Sequence, residues 1–96
     1  MTIFAILVPA PNPTLSAAIA EAFKDDCLKL SETQWIVSSS ATIHEVTAKA
    51  GIFDLKNPDT PSTGNAVVFA TTSYFGRAPA TVWDWIRSKL ESQKNG

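Results

Sequence analysis

The sequence predicts a small α/β domain, a three-layer α/β/α sandwich with a mostly parallel sheet of three or four strands. Apolar runs of strand length alternate with amphipathic helix patterns in the order β-α-(β)-β-α-β-α. The runs are apolar at consecutive positions, which is typical of strands covered on both faces. Three helices can supply that cover, two on one side and one on the other. Residues 1–96 are expected to form a single domain with a frayed tail at about 92–96.

The first two elements are a buried strand and a capped helix. Residues 3–8 are apolar at every position. Asn12 can cap the helix that follows, and Pro13 suits the first helical position. The apolar residues of this helix then share one face, and they are Leu15, Ile19, Ala22 and Phe23.

The middle of the chain leaves two architectures open. Residues 35–37 form a short buried strand, and residues 27–30 alternate like an edge strand. If residues 27–30 form a loop, three parallel strands make the sandwich. If they pair in a hairpin through residues 31–33, the order is the ferredoxin-like β-α-β-β-α-β followed by a C-terminal helix. The sandwich is favoured, with residues 27–30 as an added antiparallel edge.

The second half of the chain contains two further helices and one strand. Thr42 and Glu45 have the spacing of a capping box, and Gly51 ends the short helix that follows. Residues 54–65 form a polar loop, either a mobile flap or an ordered surface loop. Residues 66–72 form the next buried strand. The last helix has an apolar stripe of Val82, Trp83, Ile86 and Leu90.

Composition excludes several classes of function. The net charge is −1 with no block of like charge, so neither nucleic acid nor a membrane surface is an expected partner. The apolar start is too short to span a membrane. A single cysteine, Cys27, favours a reducing compartment, and a cytoplasmic location is expected. No metal or cofactor is expected, because one Cys and one His do not make a zinc site and no glycine-rich phosphate motif is present.

Two loops are predicted to form an anion-binding site. Residues 38–42 and 71–79 follow strands 35–37 and 66–72, which are expected to run parallel, so both loops leave one edge of the sheet. Hydroxyls, helix N-termini and an arginine are groups that bind phosphate or carboxylate. Gly76 would allow close backbone approach and Tyr74 could stack on a flat ligand. The predicted site is Ser38, Ser39, Ser40, Thr42, Thr72, Ser73, Tyr74, Gly76 and Arg77.

The competing interpretation is structural, since serines and threonines cap helices and Arg77 could pair with Glu45 or Asp84. A second hypothesis concerns Trp85, which lies on the margin of the last apolar stripe, should be more exposed than Trp83 and would suit an interface. The sequence therefore favours a small cytoplasmic recognition module that binds an anionic small molecule or a phosphate or carboxylate group. The alternative is a protein-interaction or homodimerisation domain acting through Trp85. No set of nucleophile, base and orienting acid is visible, so an enzyme is not favoured.

Overall fold

Four strands and three α-helices follow one another in the order β-α-β-β-α-β-α. The computed structural model describes residues 2–71, 77 and 80–95, with side chains described up to residue 89. The elements are β1 (Thr2–Leu7), α1 (Pro13–Phe23), β2 (Cys27–Ser31), β3 (Gln34–Ser39), α2 (Ile43–Lys49), β4 (Val67–Thr71) and α3 (Ala80–Asn95). A short 3-10 turn, Lys24–Asp26, joins α1 to β2. Helix α3 continues to Asn95, across most of the segment expected to be a frayed tail.

The sheet is antiparallel throughout, in the order β2-β3-β1-β4. The prediction of a mostly parallel sheet is therefore wrong. The chain turns back after β2 through a tight hairpin at Glu32 and Thr33, and β3 enters the sheet between β2 and β1. Helix α1 joins β1 to β2 with β3 between them, and α2 joins β3 to β4 with β1 between them. This is the split β-α-β arrangement that the alternative element order describes.

Strands β3 and β4 nevertheless run in the same direction, because each pairs antiparallel with β1 between them. Ile3 of β1 lies opposite Ser38 on one side and opposite Thr71 on the other. The Thr71 hydroxyl also donates a hydrogen bond to the Ile3 carbonyl at 2.7 Å. The C-terminal ends of β3 and β4 therefore lie at the same end of the sheet, with the start of β1 between them.

Both faces of the sheet are covered at its centre, which explains the consecutive apolar residues of β1 and β3. Phe4 and Ile6 of β1 pack with Leu15 of α1 and Val46 of α2 in the larger core. On the opposite face, Ile3, Ile36 and Ile86 form a smaller core under α3. A strand can be apolar on both faces in an antiparallel sheet when helices lie on both sides, so this pattern does not identify a parallel sheet.

The predicted helix caps are confirmed. The Asn12 side chain accepts a hydrogen bond from the Leu15 N–H at 3.1 Å and so caps α1. Thr42 and Glu45 form the reciprocal capping box of α2. Gly51 has a φ of 79°, the left-handed conformation that ends a helix and favours glycine.

Candidate functional site

Strand β4 forms an unprotected edge of the sheet. It pairs with β1 on one side, and no other strand in the described part of the chain pairs with its outer side. Its sequence, VVFAT, contains no charged residue and no proline. Val67 and Phe69 are 56% and 51% exposed. An edge of this kind presents backbone N–H and C=O groups that can pair with another strand.

The opposite edge, β2, carries the features that prevent such pairing. Lys29 lies in the middle of the strand, and its ammonium group pairs with the Glu32 carboxylate at 2.8 Å. The register with β3 shifts between Lys29 and Ser31, which marks a bulge or irregularity in the strand. Charged side chains and bulges are the usual means by which proteins block edge pairing. The two edges of this sheet are therefore chemically different.

On the α3 side of the sheet, apolar residues next to β4 remain uncovered. Helix α3 packs over Ile3 and Ile36, near the end of the sheet where β1 begins. Towards the other end, Leu7 lies opposite Val67 in the register and is 43% exposed. Residues opposite each other in an antiparallel pair share a face, so Leu7, Val67 and Phe69 form one exposed apolar row.

On the α2 side, two apolar residues of the long loop lie beside β4. Phe53 and Leu55 are 51% and 61% exposed. With Val68 of β4 and residues of α2 they line an open cavity of about 220 Å³. The residues lining it are Ile43, His44, Thr47, Phe53, Leu55 and Val68. Exposed apolar side chains therefore lie next to β4 on both faces of the sheet.

We call Leu7, Phe53, Leu55, Val67 and Phe69 the β4-edge surface. Each of these side chains is between 43% and 61% exposed, and none carries a charge. Single exposed apolar residues are common, but a cluster around a free strand edge is typical of an interaction site. This surface offers two kinds of contact to a partner, which are backbone pairing and apolar packing.

The loop that carries Phe53 and Leu55 is anchored at its far end. The Thr63 N–H donates to the Gly51 carbonyl at 2.7 Å, and the Thr63 hydroxyl donates to the Ala50 carbonyl at 3.1 Å. The Asn12 side-chain amide donates to the Thr63 carbonyl at 3.0 Å. These bonds hold the end of the loop close to the N-terminus of α1.

The predicted serines lie at two different depths. Ser38 and Ser39 are the last residues of β3 rather than loop residues, and Ser38 is buried. The Ser39 hydroxyl accepts a hydrogen bond from the Ala41 N–H at 3.0 Å, whereas Ser40 is exposed. Of these three residues of the predicted anion site, Ser38 is therefore buried and Ser39 already accepts a hydrogen bond within the fold.

The three serines line an open cavity of about 490 Å³ whose charged groups were not predicted from the sequence. Two cations and two acids lie beside the serines, and they are Lys24, Lys49, Asp25 and Asp26. They come from the 3-10 turn that follows α1 and from the end of α2. Because the two positive charges balance the two negative charges, this cavity has no net charge that would select an anion.

The N-terminus of α2 already holds a carboxylate of this chain. The Glu45 carboxylate accepts a hydrogen bond from the Thr42 N–H at 3.1 Å, and the Glu45 N–H donates to the Thr42 hydroxyl at 3.2 Å. The Thr42 backbone N–H and then the Thr42 side chain lower the pKa of Glu45 below its usual value of 4.5. A bound anion would meet this negative charge, so the arrangement does not favour an anion at α2.

The capping box predicts a pH-dependent contribution to stability. Because the folded-state pKa of Glu45 is lowered, its contribution is present above pH 4.5 and is lost as the pH falls through the folded value. We expect Glu45→Gln to melt below the wild type at neutral pH and the two melting temperatures to converge below pH 4.5. Thermal unfolding followed by circular dichroism over this range measures the difference. A difference that does not change with pH would contradict the role of the ionised carboxylate.

The remaining residues of the predicted anion site are Thr72, Ser73, Tyr74, Gly76 and Arg77. The first four lie outside the described residues. Arg77 is described and exposed. The anion-binding hypothesis therefore stays a prediction, although the geometry at Thr42 and Glu45 does not support the α2 half of it.

Trp85 lies against the smaller core rather than free on the surface. Trp83 and Trp85 are both half-buried and both pack against the cluster of Ile3, Ile36 and Ile86. The Lys89 ammonium group lies 5.6 Å from the centre of the Trp85 ring and pairs with the Asp26 carboxylate at 2.8 Å. The interface role of Trp85 stays a prediction.

The sequence contains one signal for the β4-edge surface. Two large apolar residues, Phe53 and Leu55, occur in or beside the polar loop of residues 54–65. Large apolar residues in an exposed loop need either burial or a partner. The missing information was the topology, because only the sheet order puts this loop beside an edge strand.

Comparisons with known proteins identify no relative of this chain. No protein-family model matches it, and no curated protein matches its sequence. Among the helices of the described residues, none has the length and apolar character needed to cross a membrane. In the part of the chain that the structure describes, no group of three His, Cys, Asp or Glu side chains could hold a metal ion. The function must therefore be inferred from the geometry of the fold.

Proposed function

We propose that this protein is a protein-interaction domain that binds an extended polypeptide segment along β4. The observation that supports this proposal is the uncharged free edge of β4 with exposed apolar side chains on both of its sides. In such complexes the backbone of the edge strand supplies hydrogen bonds, and neighbouring apolar side chains supply packing. The partner segment is expected to be uncharged and rich in β-branched residues, because the β4-edge surface contains no charge to pair with.

The proposal is tested by titrating the labelled protein with a short peptide of alternating valine and threonine. We expect amide shifts in the NMR spectrum at Val67–Thr71 and none at Cys27–Ser31, because the two edges differ in charge and regularity. Val67→Lys should weaken peptide binding at least tenfold, or about 1.4 kcal/mol. Its effect on folding should be small, since Val67 is 56% exposed.

Leu30→Lys is the matched control for this titration. Leu30 is 44% exposed on the opposite edge of the sheet, so the same charge is added to a comparable apolar residue. We expect unchanged peptide binding in this variant. Equal shifts at both edges, or no shift at either in a chain that is monomeric under the conditions of the titration, would contradict an interaction site at β4.

The proposed setting of this domain is the cytoplasm. Cys27 is half-buried, and its thiol donates a hydrogen bond to the Lys24 carbonyl at 3.2 Å. Burial raises the pKa of this thiol, and the neighbouring Asp26 and Asp25 raise it further. A thiol that stays protonated is a poor nucleophile, so Cys27 is suited to packing rather than to redox chemistry.

A further inference from the structure

We infer that the segment bound along β4 belongs to a second copy of this chain. In this dimer, two β4 strands pair antiparallel about a two-fold axis at Phe69 and join two sheets into one of eight strands. The inference rests on the proposed function and specifies its partner. Its three supports are the residue pairs across such an interface, the faces on which the side chains lie, and the size of the apolar surface.

Antiparallel self-pairing centred on Phe69 uses the whole of β4. Val67 then lies opposite Thr71 of the second copy, Val68 lies opposite Ala70, and Phe69 lies opposite Phe69. Every pair is uncharged, so the symmetry brings no like charges together. On the β2 edge, by contrast, Lys29 is central, and self-pairing there would bring two ammonium groups close together.

The faces of the sheet also match across the two-fold axis. Residues that lie opposite each other point to the same face, so the exposed row of Leu7, Val67 and Phe69 continues into the same row of the second copy. The two Phe69 rings meet at the axis, where an aromatic pair adds to the packing. A two-fold interface requires one surface to fit its own copy, and an uncharged strand edge meets this requirement.

The area of the surface fits a dimer of moderate affinity. Phe53 and Phe69 each expose about half of their surface, and Leu7, Leu55 and Val67 expose 43–61% of theirs. Together they present roughly 300–400 Å² of apolar area per copy. A stable interface buries about 800 Å² per partner, so this surface lies at the lower end of interface sizes. We therefore expect dissociation constants in the micromolar range rather than a permanent dimer.

The first experiment is sedimentation of the full chain from roughly 1 µM to 1 mM, a range that covers micromolar dissociation constants. We expect a concentration-dependent monomer–dimer equilibrium. Phe69→Lys should raise the dissociation constant at least tenfold, because two ammonium groups would meet at the axis. Leu30→Lys is the matched control on the other edge and should leave the equilibrium unchanged. Circular dichroism checks that each variant is folded.

The second experiment tests the position of the axis by disulfide crosslinking. In a Cys27→Ser background, Phe69→Cys should crosslink two copies under oxidised glutathione, because opposite Cα atoms in antiparallel strands lie about 4.5–5.5 Å apart. Val67→Cys is the control. Its two copies would lie about 14 Å apart along the strands, four residues at about 3.4 Å each, so it should not crosslink.

The two proposals fail in different ways. A chain that stays monomeric to the highest concentration but still binds the valine–threonine peptide at β4 would overturn the dimer and leave the interaction site in place. A chain that neither dimerises nor binds the peptide would overturn both. A dimer that is abolished by Leu30→Lys, or that crosslinks through Val67→Cys and not through Phe69→Cys, would overturn the proposed geometry.

Discussion

Replacing Gly64 with alanine is expected to destabilise the fold by roughly 2–4 kcal/mol, the sum of backbone strain and a weakened helix cap. Gly64 has a φ of 151°, a conformation that side chains rarely adopt. A Cβ at this position would clash with the side-chain nitrogen of Asn12. Asn12 would have to move, and it both caps α1 and holds the Thr63 carbonyl.

Denaturant unfolding of a two-by-two set of variants separates the two causes. The set consists of the wild type, Gly64→Ala, Asn12→Ala and the double variant. If the clash with Asn12 contributes, Gly64→Ala costs less in the Asn12→Ala background than in the wild type. A loss below about 0.5 kcal/mol for Gly64→Ala alone would show that the loop adapts without strain.

Ile6→Ala is expected to cost about 2–5 kcal/mol of folding free energy, the range for a large residue removed from a closed core. Ile6 lies near the C-terminal end of β1 and is fully buried in the larger core. Its neighbours in the register are Trp35 on β3 and Val68 on β4, so its side chain lies in the middle of the sheet. For a domain of this size the melting temperature should fall by about 8 °C or more.

Leu30→Ala removes a similar volume and serves as the control for Ile6→Ala. Leu30 is 44% exposed on β2, and its removal should change the free energy of unfolding by about 0.5 kcal/mol or less. Both variants are measured by thermal and denaturant unfolding at one protein concentration. Similar losses for Ile6→Ala and Leu30→Ala would contradict the assignment of the core.

The local elements could be predicted because their signals are contained in short stretches of chain. The cap at Asn12, the capping box of Thr42 and Glu45, and the helix end at Gly51 all depend on residues a few positions apart. The direction of the strands depends on which strands become neighbours. Consecutive apolar residues indicate cover on both faces, and α3 supplies that cover in an antiparallel sheet. The pattern therefore did not distinguish the two architectures.

The candidate site was harder to predict than the fold, for a related reason. The sequence predicts that Ser38 and Ser39 are loop residues, but β3 extends through both of them. The exposed apolar residues of the β4-edge surface come from β1, the long loop and β4, which are distant in sequence. Only the sheet order brings them together, and no local pattern encodes that order.

The position of β1 has a consequence for the protein during its synthesis. Within this domain β1 is a central strand, and its two neighbours, β3 and β4, are synthesised about 30 and about 60 residues later. The helix that covers its second face follows β4 in the chain. A nascent chain that stops before β4 would carry an apolar strand with one edge unpaired, and such intermediates are prone to aggregate. We therefore expect translation pauses between β1 and β4 to be costly and the nascent chain to need chaperones until β4 and α3 have emerged.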